Sequence, residues 1–128
     1  MEAIKKHGTE LHKEYLDWLS KFKFYEEEMD HLKTQVAGIL NKYTDNEVGA
    51  VVEQLTNKVD IQRGNLQRIK DHLRHEEQKF AALVAERPTQ YEHILTEEEK
   101  SSRENVIYFE KQYPILKDEV NHFLAKYL

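Results

Sequence analysis

The sequence has no cysteine. That excludes a disulfide framework, thiol chemistry and any zinc site built on thiolates, and it suits a cytoplasmic setting. Proline occurs twice and glycine four times, a scarcity that argues against a turn-rich, sheet-based fold. The longest apolar run is FAALVA at 80–85, far short of the ~20 residues that a membrane span needs. The opening MEAIKKHGTE has no apolar core of the kind a secretory signal carries. Positive charge is not gathered anywhere: the net charge is −5 with both signs interspersed, and KKH at 5–7 is too short to attract nucleic acid. A glycine-rich phosphate loop is missing, as is any Ser/His/Asp spacing in a strand context. These absences predict no catalytic residue, no bound cofactor, no small-molecule substrate, and a chain that is not an enzyme.

What remains is abundant in Leu, Glu, Lys and Gln, all good helix formers. The 128 residues suffice for one compact domain, 1–128, and not two. Charged residues make up 34%, but aromatics reach 10% and recur regularly, which separates the chain from disordered sequences.

The apolar positions recur in steps of four and three. In the first third they are Leu11, Tyr15, Trp18, Phe22, Tyr25, Met29, Leu32, Val36, Ile39 and Tyr43, with Ile4 and Gly8 extending the series backward. A heptad seam of this kind lets helices wind around one another with left-handed twist. The spacing predicts a helix over 2–43. A capping-box pattern, Thr44 with Glu47, then opens a second helix over about 45–86, on the seam Val48, Val52, Leu55, Val59, Gln62, Leu66, Ile69, Leu73, Glu76, Phe80 and Leu83. Pro88 ends it. Thr89 with Glu92, or Thr96 with Glu99, caps a third helix on Leu95, Glu99, Ser102, Val106, Phe109, Tyr113, Leu116, Val120, Phe123 and Tyr127. Pro114 interrupts that seam and predicts a third helix kinked or broken there.

Segments of about 40 residues, ~60 Å each, joined by short connections must pack as antiparallel neighbours. The expected fold is all-α: an up-down-up bundle of three long helices with left-handed coiled-coil packing. It resembles a spectrin repeat in general plan, including a tryptophan in the first helix.

Side-by-side stacking puts residue i of the first helix level with about 87 minus i on the second and about 87 plus i on the third. Two polar levels result. Tyr25, Gln62 and Tyr113 share a mid-bundle level beside Gly64 and Pro114, and predict a structural polar layer in which the tyrosine hydroxyls satisfy the glutamine. Leu11, Glu76 and Glu99 share a level near the end that holds the N-terminus, with His12, His72 and His75 close by and Ser102 one layer inward. Carboxylates and imidazoles converging between helices are how bundles hold metal. If any metal binds, its ligands are Glu76, Glu99, His72, His75 and His12; the plain reading is a wet bundle end.

Two motifs invite sharper chemistry. Glu-x-x-His, the spacing of ferritin-like di-iron bundles, occurs at Glu28–His31 and Glu119–His122. The apolar seam at those heights is Met29 and Leu32, or Val120 and Phe123, so these ligand candidates stand beside the core. A ferritin-like or hemerythrin-like metal protein is the alternative reading. The stretch DHLKTQVAGIL at 30–40 resembles the phosphorylated helix of sensor kinases, but aligning Leu32, Lys33, Thr34 and Val36 with that motif puts Asp30 where the reactive histidine belongs. A degenerate histidine phosphotransfer module is a remote alternative, since a motif without its context carries little.

The first reading is a non-enzymatic protein–protein interaction or scaffold module. Residues 15–25, YLDWLSKFKFY, add Leu16, Leu19 and Phe24 to the seam, an apolar stripe wider than two neighbouring helices require. Those three residues predict a contact surface, with a homodimer as the default partner.

Overall fold

The computed structural model describes the backbone of residues 2–86 and 88–128, and the side chains of residues 10, 12–82 and 99–128. It contains three long helices: α1 (Glu2–Gly38), α2 (Asn46–Glu86) and α3 (Pro88–Tyr127), with a 3-10 turn, Ile39–Asn41, after α1. No strand occurs among the described residues. No helix is long and apolar enough, over the described residues, to cross a membrane.

The seams become the core. Phe22, Met29, Leu32, Val36 and Ile39 of the first segment are buried, as are Val48, Val52, Leu55, Val59, Leu66 and Leu73 of α2. From α3 come Val106, Phe109, Tyr113, Leu116, Val120, Phe123 and, outside the expected seam, Leu124. Trp18 is less enclosed than its seam position predicts: it is partly buried and packs on the core from its edge. Tyr43 is exposed, with its ring against Tyr127 at 5.3 Å. The seam positions Leu11, Leu83 and Leu95, and the Thr89–Glu92 cap, lie outside the described side chains.

Helix boundaries differ from expectation in three places, each for a local reason. The first helix tightens at Ile39, whose carbonyl accepts both Lys42 N–H (3.0 Å) and Tyr43 N–H (3.1 Å), so the α-helix ends five residues before 43. The cap of α2 is Asp45 rather than Thr44. Its Oδ1 accepts Glu47 N–H at 2.9 Å and its carbonyl accepts Gly49 N–H at 3.0 Å, which satisfies donors that a helix start otherwise leaves unpaired. The third helix begins at Pro88, where the missing N–H costs nothing, so Thr96 lies inside it. The break allowed at Pro114 does not occur, because α3 is one element through that residue. Pro114 itself is exposed, and the buried Leu116, Val120 and Phe123 beyond it tie the last turns to the core.

Side-chain pairs show how the helices meet. From α1 to α2 the partners run in opposite order: Glu26 with Lys70 (2.7 Å), Asp30 with Arg63 (3.2 Å), Lys33 with Asp60 (2.7 Å). From α1 to α3 they run in the same order: Glu14 with Arg103 (2.8 Å), Tyr25 with Glu110 (2.9 Å), Glu28 with Lys117 (2.9 Å). Glu76 with Ser102 and Lys58 with Glu119 run in opposite order between α2 and α3.

Candidate functional site

At mid-height Tyr25 and Tyr113 meet edge to face, centroids 5.4 Å apart, and Phe109 stacks on Tyr113 at 5.6 Å. Their hydroxyls do not donate to Gln62. Tyr25 Oη donates to Glu110 (2.9 Å), and Tyr113 Oη donates to Glu28 Oε1 at 2.6 Å. The reason is reach: a phenol extends past the core to carboxylates standing at the rim, and a charged acceptor binds more strongly than an amide. Gln62 is half-buried on the far side, where it lines a groove between α2 and α3. Burial raises the Tyr25 hydroxyl to about 12, with the bond to Glu110 and the charges of Glu110 and Glu28 adding to it. Burial also raises Tyr113 far above its ordinary range, again helped by a carboxylate, Glu28. Burial pulls the Glu28 carboxyl upward, but the bonds from Tyr113 and Lys117 and the lysine charge outweigh it and hold the group below its usual value.

The second polar level lies inside the core. Glu76 is 4% exposed, Glu99 7% and Ser102 1%. Ser102 Oγ donates to Glu76 Oε1 at 2.5 Å, and His72 Nε2 lies 3.3 Å from the same oxygen. The ingredients of nucleophilic catalysis are present in an order that does not serve it: the hydroxyl proton goes to the carboxylate, the imidazole approaches the carboxylate instead of the serine, and the serine oxygen has no open approach. His12 pairs with Glu77, one residue away from the level expected, and His75 is exposed. Of the five candidate metal ligands, His72 and Glu76 are in direct contact. Among the described residues no three His, Cys, Asp or Glu side chains are grouped to hold a metal ion, and no buried side-chain nitrogen or oxygen lacks a hydrogen-bond partner.

The two Glu-x-x-His pairs stay apart. Glu28 is held by Tyr113 and Lys117, Glu119 by Lys58, and both His31 and His122 are exposed. In the stretch 30–40, Leu32, Val36 and Ile39 are core residues, while Asp30 accepts from Arg63 and its carbonyl accepts from Thr34 Oγ1.

Exposed large apolar residues include Leu40, Val51, Ile107 and Leu128 at scattered positions, and two groups besides. On α1, Leu16 is 48% and Phe24 59% exposed, while Leu19 is half-buried. At 3.6 residues per turn Leu19 and Phe24 point about 140° apart with Leu16 between them, so the three spread over a broad arc of α1. On α2 and α3, Ile61 (60%), Tyr108 (64%) and Ile115 (63%) border the groove that Gln62 lines. The heptad reading passed over this face because each of the three stands one position before a seam residue: Gln62, Phe109 and Leu116. Apolar residues beside the seam on two helices at once were the available signal.

No family model matches the chain, and neither the curated proteins nor the solved structures yield a match.

Proposed function

We propose that the chain is a non-enzymatic protein–protein interaction or scaffold module, built as an up-down-up bundle with left-handed coiled-coil packing. The ordered cross-helix partners and the four-three spacing of the core support that packing. In the same reading α3 bends at Pro114, which offers no N–H to the Glu110 carbonyl. The observation that carries the function is the groove-side row of Ile61, Tyr108 and Ile115, all more than half exposed. Large apolar side chains gathered along one groove mark a contact surface. The partner is a protein, this chain included, and Leu16 and Phe24 offer it a second, smaller face.

Retention tests this. Immobilised wild-type chain is compared with a variant carrying Ile61→Glu, Ile115→Glu, Leu16→Glu and Phe24→Glu, both verified helical by circular dichroism. The expected result is a protein, either foreign or the same chain, held by the wild type and released by the variant. Identical retention profiles from the two surfaces would remove the reading.

A further inference from the structure

The three edges of the molecule are not closed alike. Between α1 and α2, Lys33, Arg63 and Lys70 reach across to Asp60, Asp30 and Glu26. Between α1 and α3, Arg103 reaches Glu14, Lys117 reaches Glu28, and two tyrosine hydroxyls cross as well. Between α2 and α3, over described residues 58–72 and 105–119, a single ion pair spans the helices: Lys58 Nζ to Glu119 Oε1 at 2.8 Å. Beyond it the edge opens into a groove of about 450 Å³, walled by the amides of Gln62, Asn65 and Asn105 and by Arg68 and Tyr108. A second pocket on the same edge shares Gln62 and is lined by Ile61 and Ile115. The Arg68 guanidinium donates to the Asn65 amide and has no carboxylate partner among the described residues.

The geometry points to a second copy of this chain as the occupant of the α2–α3 groove, seated about a two-fold axis that runs along it. This rests on the interaction reading above and names the partner. The argument is self-complementarity. Since α2 and α3 pass each other in opposite directions, Lys58 lies level with Glu119, and Ile61 and Ile115 line the same stretch of groove. A rotation about the groove lays α2 of each copy over α3 of the other. Every lysine at that level then faces a glutamate, and Ile61 faces Ile115 of the second copy, twice over. An isologous contact requires this repetition. The wall residues suit it too: a side-chain amide carries both donor and acceptor, so it is a complement to another amide. Arg68, free of carboxylate, comes over the Tyr108 ring of the second copy, a favourable placement for a guanidinium. A groove shaped for an acidic ligand would instead concentrate positive charge.

Sedimentation equilibrium from micromolar to several hundred micromolar chain, with single variants, tests the proposal. A dimer is expected, with Ile61→Glu and Ile115→Glu each raising its dissociation constant by about tenfold or more and Leu16→Glu and Phe24→Glu leaving it unchanged. Ile61 and Ile115 are mostly exposed, so these variants keep the fold, and circular dichroism verifies it. Because the chain has no cysteine, the axis has its own test. A mixture of Ile61→Cys chains with Ile115→Cys chains forms disulfide-linked pairs on oxidation faster than either variant alone. A monomer at every concentration overturns the proposal and leaves the interaction reading to the retention experiment. A dimer that dissociates with the α1 variants overturns it as well, and so does faster linkage of Ile61→Cys chains by themselves.

Discussion

The polar level at Tyr25 and Tyr113 and the polar level at Glu76 solve one problem in opposite ways. In the first, the rings are inside and the charges stay at the rim: the side chains of Glu28 and Glu110 keep 19% and 32% of their exposure. In the second, the carboxylate of Glu76 is itself inside, held by a buried serine and a half-open histidine. A phenol carries its polar atom to a carboxylate at the rim, so its apolar body contributes to the core. A buried carboxylate has no such escape and depends on every partner it has. The aromatic level is a core with a polar fringe, and the Glu76 level is a polar core.

The largest expected effect lies at the aromatic level. Phe109 is 2% exposed and packs against both Tyr25 and Tyr113 at 5.6 Å. Phe109→Ala should cost about 3–5 kcal/mol, read from the denaturant midpoint. Trp18, which packs on the core from its edge, should cost less than Phe109 despite its size. Equal losses would mean that the α1 end is as tightly packed as the centre.

Next comes the buried carboxylate. Ser102→Ala removes the hydroxyl that donates to Glu76 and should cost about 1–3 kcal/mol, the penalty for stranding a buried acceptor. Adding Glu76→Leu should recover much of that loss, because replacing both partners with apolar groups removes the need for the bond. If the double variant is the less stable of the two, the Glu76 level is held by more than this bond.

The reach of the sequence differs between these levels. The seam gave away Phe22, Met29, Leu66 and Val106, because four-three spacing fixes which side of a helix meets its neighbours. It also brought Glu76 and Ser102 into the interior, for the same reason: burial follows position before it follows chemistry. Partner choice was beyond it. Gln62 occupies a seam position, yet the tyrosine protons go to Glu28 and Glu110, which stand one position before Met29 and one after Phe109. Spacing locates a Cα; it does not say how far a phenol extends or which rim carboxylate lies within 3 Å of its end. The groove beside Ile61 was obscured likewise, since a single-helix seam has no term for two flanking positions that meet across an edge.

Tyr113→Phe probes the rim from inside, with an expected loss of about 1 kcal/mol at neutral pH. Its pH dependence carries the mechanism. Glu28 is held below its usual value in the folded chain, so its contribution is present above the unfolded carboxylate range, near about 4.3, and is lost as pH falls through the folded value. Tyr25 acts in the opposite sense. Tyr25 rises from 10.0 to about 12 on folding, so the unfolded chain loses that proton first. Stability should therefore fall as pH climbs from about 10 to about 12. Removing the Tyr113 hydroxyl removes one of the bonds that depress Glu28, so the acid-side slope of thermal stability should flatten. An unchanged slope would mean that the Tyr113 bond does not set the acid sensitivity.

The smallest effect decides whether the rim matters by itself. Lys33 and Asp60 form a 2.7 Å pair at the α1–α2 edge, with 46% and 53% of their side chains exposed. Neither partner is in the core. Water screens such a pair, and holding two long side chains in one geometry offsets much of the attraction. Lys33→Ala should shift stability by no more than about 0–1 kcal/mol, and the shift should shrink as salt is raised. Glu28 differs in one respect: it accepts a hydrogen bond from a hydroxyl whose ring is buried in the core, and breaking that bond disturbs the ring. Should Lys33→Ala cost as much as Tyr113→Phe in the same buffer, the buried donor adds nothing, and the two kinds of edge are energetically one.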